Sequence, residues 1–353
     1  MDRLKVGILG ATGLVGQVFA YFLDRHPWFE VTYVGASKAS AGKRYLDAIH
    51  YKLVSISDEV GELIVQEVKP DKVPKDLKIV FSALPSGVAK DIELELVRRG
   101  FTVISNAAPM RLDDEVPLIN PEVNWDHLKL LEVQRRKGWR GTLVKNPNCT
   151  TAILTLSLKP IADMYGIRKV IVTSMQSVSG AGFPGVSSLQ IIDNIIPFIE
   201  KEEEKMQTET LKIMGKLKDE KVKWASFKVS ATCTRVPTLE GHMISVFVET
   251  EREVNMSELI KAMENFKSKP QELKLPTAPE RPIVVRKEKD RPQTRLDRWI
   301  ERGMSVVVGR LREETALDRG VKYVALGHNL ARGAAGIAVV IAELMYKLGY
   351  MEA

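Results

Sequence analysis

The run Gly10-Ala-Thr-Gly-Leu-Val-Gly16 constrains the fold more than any other part of the chain. An apolar stretch, Lys5 to Leu9, precedes it and reads as a buried strand; an amphipathic stretch reaching Asp24 follows and reads as a helix. Three glycines at a strand–helix junction have separate uses. Gly10 permits a tight turn, Gly13 lets the backbone approach a pyrophosphate, and Gly16 lets the helix lie close to the strand. The helix N-terminus then offers free N–H groups to an anion. A tight turn without any ligand is the plain alternative.

Further strand-like runs at Val31–Gly35, Lys78–Ser82 and Thr102–Ser105 alternate with a helical run at Asp91–Arg99. That alternation predicts an α/β domain with a Rossmann-like, doubly wound parallel sheet and right-handed crossovers. Such domains bind dinucleotides, with Asp or Glu about 20 residues beyond the glycines to hold the ribose of NAD. Here the second strand ends in Tyr33-Val-Gly-Ala-Ser37-Lys38, and Lys43 follows. A hydroxyl and two ammonium groups suit a 2′-phosphate, so NADP is expected rather than NAD. The expected cofactor set is Gly10, Ala11, Thr12, Gly13, Leu14, Val15, Gly16, Ser37, Lys38 and Lys43, with Ser82, Ala83 and Pro85 at the end of a neighbouring strand.

Beyond Cys149 the pattern changes. Longer β-type runs appear at Lys169–Val178, Lys228–Thr234, Met243–Thr250, Met304–Leu311 and Tyr323–Leu326. Between them Ser187–Leu217 has helical periodicity. This predicts an α+β second domain with a mixed sheet. The Ala-rich segment Ala331–Tyr346 reads as a helix that packs back on the first domain. The expected division is therefore 1–148 with 329–353, and 149–328. The charged stretch Arg286–Arg298 reads as a solvated or interface loop.

With 353 residues and 44% apolar content, there is material for two cores. No run approaches the ~18 apolar residues of a membrane span, and the N-terminus lacks a secretory signal; a cytoplasmic protein is expected. The net charge of +7 is spread among mixed charges without a nucleic-acid motif, so it points to small anionic substrates. No metal site is called for. Two cysteines make no disulfide framework. Cys149, in Asn146-Pro-Asn-Cys-Thr-Thr151, opens a helical run; a thiol there is expected to have a lowered pKa and to act as a nucleophile. An inert buried cysteine is the alternative there, and the reading for Cys233. Tyr165-Gly-Ile-Arg-Lys169 has the Tyr-x-x-x-Lys spacing of short-chain reductases, but Gly166 breaks the helix that chemistry needs.

The cysteine segment resembles the active-site segment of aspartate-β-semialdehyde dehydrogenases. The resemblance extends, in order, to the glycine loop, Ser174-Met-Gln-Ser-Val-Ser-Gly-Ala-Gly182, Cys233-Thr-Arg-Val-Pro-Thr-Leu-Glu-Gly-His242 and Gly327-His-Asn-Leu-Ala-Arg-Gly-Ala-Ala-Gly336. Arg291-Pro-Gln-Thr-Arg-Leu-Asp-Arg298 is similar to the branch found in archaea and fungi.

The resemblance implies NADPH-dependent reduction of L-4-aspartyl phosphate to L-aspartate 4-semialdehyde through a Cys149 thioester. That step leads to lysine, threonine, methionine and isoleucine. His242 is implied as general acid and base, and Gln176 as the residue orienting the acyl group. Arg235 would grip the substrate carboxylate with its planar fork. Glu209 would meet the substrate amino group; Lys212, Arg111 and Asn148 would bind phosphate. Ser179, Gly180, Gly182 and Asn329 would approach the cofactor. A homodimer or homotetramer is expected. Malonyl-CoA reductase of archaea is a similar enzyme on the same scaffold and the rival reading. A catalytically silent nucleotide-sensing protein is a rival from another class, disfavoured by the presence of Cys149 and His242 together.

Overall fold

The computed structural model describes residues 3–351. Met1, Asp2, Glu352 and Ala353, the extreme ends of the first expected domain, lie outside the described residues. Strands β1 (Leu4–Leu9), β2 (Phe29–Ala36), β3 (Gln66–Glu67), β4 (Ile79–Ser82), β5 (Thr102–Ser105) and β6 (Thr142–Lys145) form one sheet in the order β3-β2-β1-β4-β5-β6. Every pairing is parallel. Helices α1 (Leu14–Leu23) and α2 (Ser86–Arg98) make two of the crossovers. Strands covered on both faces carry near-continuous apolar runs, as in Ile79-Val-Phe-Ser82, which is wholly buried.

β6 has no such signature. Its Lys145 is buried because the carboxylate of Glu93 on α2 pairs with it, while Ser82 and Ser105 hydroxyls donate to the other Glu93 oxygen at 2.6 Å each. Strand ends β4, β5 and β6 are thus tied to one buried carboxylate.

Helix α3 (Cys149–Tyr165) leads into the second region. There β7 (Lys169–Gln176), β10 (Lys228–Arg235), β11 (His242–Glu249), β12 (Ile283–Arg286), β13 (Val306–Glu314) and β14 (Gly320–Gly327) form a sheet ordered β10-β7-β11-β14-β13-β12. β8 (Lys216–Lys218) and β9 (Lys221–Lys223) make a separate hairpin. The large sheet is mixed: β7–β10 and β12–β13 run parallel, the other pairs antiparallel. Val170, Val172, Ile244, Val246 and Ile153 and Leu156 of α3 share the core on one face. On the other face Lys169, Ile171 and Thr173 are exposed.

Ser187–Leu217 is not one helix. Only Ser188–Ile191 and α4 (Glu202–Ile213) are helical, because Asp193 and Lys201 adopt left-handed φ and Pro197 lies between. The intervening Ile192, Ile195 and Phe198 are exposed, as is Leu189. After a π-type turn at Ala331–Ala335, helix α5 (Gly336–Lys347) packs into the first core with Val18, Phe19 and Phe22. Its buried Glu343 accepts from Thr277 N–H at 2.9 Å and lies 2.8 Å from His26 Nε2.

Candidate active site

A cavity of about 640 Å³ opens at the C-terminal ends of β1 and β4, where the strand order of the first sheet reverses. Such switch points are where open α/β sheets take ligands. Thr12, Gly13, Leu14, Val15, Gly16, Ala83 and Pro85 line it. Gly10 has φ +73°, and a Cβ there would stand 2.5 Å from the Ala83 carbonyl oxygen. A Cβ on Gly16 would stand 2.3 Å from Gly10 O, so the close helix–strand contact demands glycine. Helix α1 has no side-chain cap and no acid in its first turn, so its N–H groups remain for an anion. This loop fits a dinucleotide pyrophosphate.

Several expected cofactor residues sit elsewhere. Gly10 and Ala11 shape the loop from beneath without lining the cavity. Ser82 is a correction: its buried hydroxyl is spent on Glu93 and does not reach a ligand. Ser37, Lys38 and Lys43 are exposed beyond the end of β2, outside the cavity lining.

The opposite wall contains Asn148, Cys149, Gln176, Arg235, His242 and Asn329, with Ser179, Gly180 and Gly182 nearby. Cys149 is the first residue of α3, and Asn148 caps that helix by accepting from Thr150 N–H at 3.1 Å. The expected lowering of the thiol pKa is not found. Burial pushes it up to about 12, the Glu202 carboxylate adds to the rise, and Arg235 and Arg111 oppose it only partly. Desolvation outweighs the helix terminus here. A Cβ on Gly333 would stand 2.6 Å from Cys149 Cβ, so this glycine seats the cysteine; the sequence reading did not single it out.

Two Glu-x-x-Lys pairs lie on α4, and the structure puts the wrong one forward for the sequence reading. Glu209 and Lys212 do not line the cavity. Lys212 Nζ donates to the carbonyls of Arg111, Asp113 and Val116 at 2.7–2.9 Å, so no donor is left for phosphate. Glu209 accepts from Arg111 Nη1 at 2.8 Å and from Asn148 N–H at 2.7 Å. This pair secures Arg111, which does line the cavity. Glu202 and Lys205, absent from the sequence reading, line the cavity and pair at 2.8 Å. Glu202 also accepts from Asn148 Nδ2 at 2.9 Å and Gln176 Nε2 at 3.1 Å. Burial works to raise the Glu202 carboxyl, but Lys205, Gln176 and Asn148 outweigh it and hold it below its usual range. Asn148 therefore has its amide committed at both ends, to the helix cap and to Glu202; it is not a free phosphate donor.

Arg235 ends β10 and His242 begins β11, and both reach the same spot. A Cβ on Gly180 would stand 2.9 Å from Arg235 Nη1 and 2.9 Å from His242 Cε1. Arg235 Nη1 donates to Ser177 O at 2.8 Å; among the described residues no carboxylate pairs with this guanidinium. His242 Nδ1 accepts from Ser177 N–H at 3.1 Å, which puts the proton of the neutral ring on Nε2. Buried Nε2 has no protein partner among the described residues. Burial, with Arg235 adding, pushes His242 down to about 3, so the ring is neutral. In this form its Nε2–H is a free hydrogen-bond donor facing the cavity. Asn329 Oδ1 accepts from Gly241 N–H at 2.9 Å, and its Nδ2 donates to Ser179 Oγ at 2.9 Å.

A dinucleotide-type loop faces a cysteine, an imidazole and a guanidinium that no carboxylate among the described residues pairs with, all across one cleft, which is an arrangement a dinucleotide-dependent dehydrogenase can use. Comparison with known proteins narrows this. The family model described as "Semialdehyde dehydrogenase, NAD binding domain" matches residues 5–131, and "Semialdehyde dehydrogenase, dimerisation domain" matches 158–332. The aspartate-semialdehyde dehydrogenase of Archaeoglobus fulgidus is 49% identical over 348 residues, 98% of each chain. The malonyl CoA reductase (NADP) of Metallosphaera sedula is 40% identical, covering 99% of this chain and 98% of its own. The crystal structure of the Candida albicans aspartate semialdehyde dehydrogenase with NADP superposes with a TM-score of 0.88 at 37% identity, over 98% of this chain and 99% of that one. The chain belongs to the semialdehyde dehydrogenase family.

Proposed function

We propose that the protein is an NADPH-dependent aspartate-semialdehyde dehydrogenase, reversibly converting L-4-aspartyl phosphate to L-aspartate 4-semialdehyde and phosphate. The observation that carries this is the single cavity in which the α1 terminus faces Cys149, His242, Arg235 and the Glu202–Lys205 pair. The relatives favour it over malonyl-CoA reduction by 49% identity against 40%.

Arg235 takes the substrate α-carboxylate in a bidentate grip. Glu202, in place of Glu209, receives the ammonium group. Lys205 and Arg111 hold the phosphate, in place of Lys212 and Asn148. An ammonium beside Glu202 cancels a charge that adds to the effect of burial on the thiol, so substrate binding itself eases thiolate formation. Cys149 Sγ bonds to the acyl carbon, the carbon–oxygen bond to phosphate breaks, and the thiol proton leaves with the phosphate. Gln176 Nε2 stays on Glu202 and keeps the amide facing the acyl group. When bound, the reduced nicotinamide supplies a hydride. His242 Nε2–H then donates to the thioester oxygen as negative charge builds there. That oxygen's electron pair re-forms the carbonyl, the carbon–sulfur bond breaks, and the Cys149 thiolate is freed, to be reprotonated from solvent, as the semialdehyde leaves. Asn329 and Ser179 orient the cofactor amide, and Ser37, Lys38 and Lys43 stand where a 2′-phosphate would emerge.

The reading uses a cofactor region at 1–148 with 329–353 and a catalytic and dimerisation region at 149–328. The open sheet face and exposed Leu189, Ile192, Ile195 and Phe198 support a homodimer or homotetramer. No helix among the described residues is long and apolar enough to cross a membrane, which agrees with a cytoplasmic enzyme.

The test is the reverse assay. NADP, phosphate and aspartate 4-semialdehyde are expected to yield NADPH only when all three are present. Consumption of NADPH with malonyl-CoA, and none of this phosphate-dependent activity, would replace the reading with the rival one.

A further inference from the structure

Three buried polar atoms without hydrogen-bond partners converge behind the catalytic turn: Glu240 Oε1, His328 Nε2 and Arg298 Nε. Glu240 Oε2 lies 3.5 Å from Arg298 Nε and 3.8 Å from His328 Nε2. His328 Nδ1 accepts from Leu330 and Ala331 N–H at 3.2 and 3.3 Å, so its ring proton sits on Nε2, the atom nearest Glu240. Trp299 covers His328 edge-on, ring centroids 4.2 Å apart. Arg298 also donates to the Glu240 carbonyl at 3.4 Å, and its side chain packs against Gly241, where a Cβ would be 3.3 Å from Arg298 Cβ.

The place of this cluster in the chain is what matters. Glu240 is two residues before His242, and His328 is one before Asn329. The turns they occupy are joined by Gly241 N–H to Asn329 Oδ1 and by the pairing of His242 with Gly327. A buried carboxylate without full hydrogen bonding is costly, and such groups call for an explanation. Arg298 comes from the charged loop that the sequence reading left as solvated or interface; in fact one of the loop's three acids, Asp297, is buried and paired with Arg286 and Arg291.

We propose that Glu240 is a positioning residue for the reaction: gripped by Arg298 and His328, its carboxylate fixes the separation of His242 Nε2 from the Asn329 amide. The acyl oxygen donor and the nicotinamide contact are thereby held in register, which is the alignment hydride transfer requires. This rests on the roles given above to Cys149, His242 and Asn329.

Glu240→Gln keeps the shape and removes the charge. The expected result is a fall in kcat of about tenfold, with KM for the semialdehyde and the thermal midpoint near wild type. Arg298→Met should act in the same direction but less, and the double variant should be no worse than Glu240→Gln alone, since both break one unit. A kcat within about twofold of wild type, or a parallel loss of kcat, both affinities and thermal stability, overturns the proposal. Should Glu240→Gln not fold, Arg298→Met decides: unchanged kcat overturns it. Should the wild-type protein fail to turn over the semialdehyde, the functional reading fails instead. The proposal is then judged on the geometry of Glu240→Gln, which needs no substrate: a crystal structure in which the His242 Nε2–Asn329 amide separation has changed supports it, and one in which that separation is unchanged overturns it.

Discussion

The first and third turns of α4 carry the same chemistry at the same spacing and do opposite things. Glu202–Lys205 and Glu209–Lys212 are both Glu-x-x-Lys, and seven residues is close to two helical turns, so both pairs share one face of the helix. At the N-terminal end that face meets the cavity, and Glu202 gathers Asn148, Gln176 and Lys205 around it. Two turns on, it meets the Arg111 loop; Lys212 is wholly buried against three carbonyls there. What separates a cavity-lining pair from a bracing pair is therefore the surface each turn reaches, which spacing alone does not encode.

Substitutions can break this contrast. Lys212→Met strips the donor from three buried carbonyls and should cost about 3 kcal/mol of unfolding free energy in a urea titration. Lys205→Met, at a partly exposed ion pair, should cost less than about 1 kcal/mol. Equal losses would mean that the two turns are not distinct. Glu202→Gln should lower kcat/KM by about a hundredfold while leaving the thermal midpoint close to wild type. Were Glu209→Gln to give the same kinetic pattern without destabilisation, the assignment of the amino-group contact to Glu202 would be lost.

Arg235→Lys sharpens the other side of the cavity. It should raise KM for the semialdehyde about tenfold and leave NADP affinity unchanged, because lysine cannot reproduce the bidentate fork. Equal effects on both ligands would remove Arg235 from the carboxylate site. The smallest expected effect concerns the thiol. With the Cys149 pKa raised to about 12, the thiolate fraction grows about tenfold per pH unit. Alkylation should therefore still be rising at pH 10. Glu202→Gln removes a charge that raises this pKa, so modification at pH 8 should speed up a few-fold; Glu209→Gln should leave it near wild type. A plateau in the alkylation rate near neutral pH would show a low-pKa thiol instead.

Much of this was legible from residues alone. Gly10 and Gly16 announced the tight turn after β1 and the close helix contact, because only backbone geometry without a Cβ serves there. Cys149 was legible as the opening of a helical run, whereas Arg235 and His242 entered through the resemblance of their segment; all three line the cavity. β6 was missed because its burial depends on Lys145 meeting Glu93, 52 residues away. The strand Ile283–Arg286 was hidden at the head of a charged stretch, and its four residues carry too little pattern. The thiol pKa was misjudged for the same reason: a helix terminus can be read locally, whereas burial and a carboxylate from α4 cannot. Gly333 gave no sign of its contact with Cys149, 184 residues earlier in sequence.

The central claim is that Cys149 carries the acyl group. The most direct measurement is mass spectrometry of the protein quenched in acid after exposure to L-4-aspartyl phosphate without NADPH. The account predicts one added aspartyl group, located on the peptide containing Cys149 and discharged by NADPH. An unmodified protein that still turns over, or an adduct on Cys233, would contradict it.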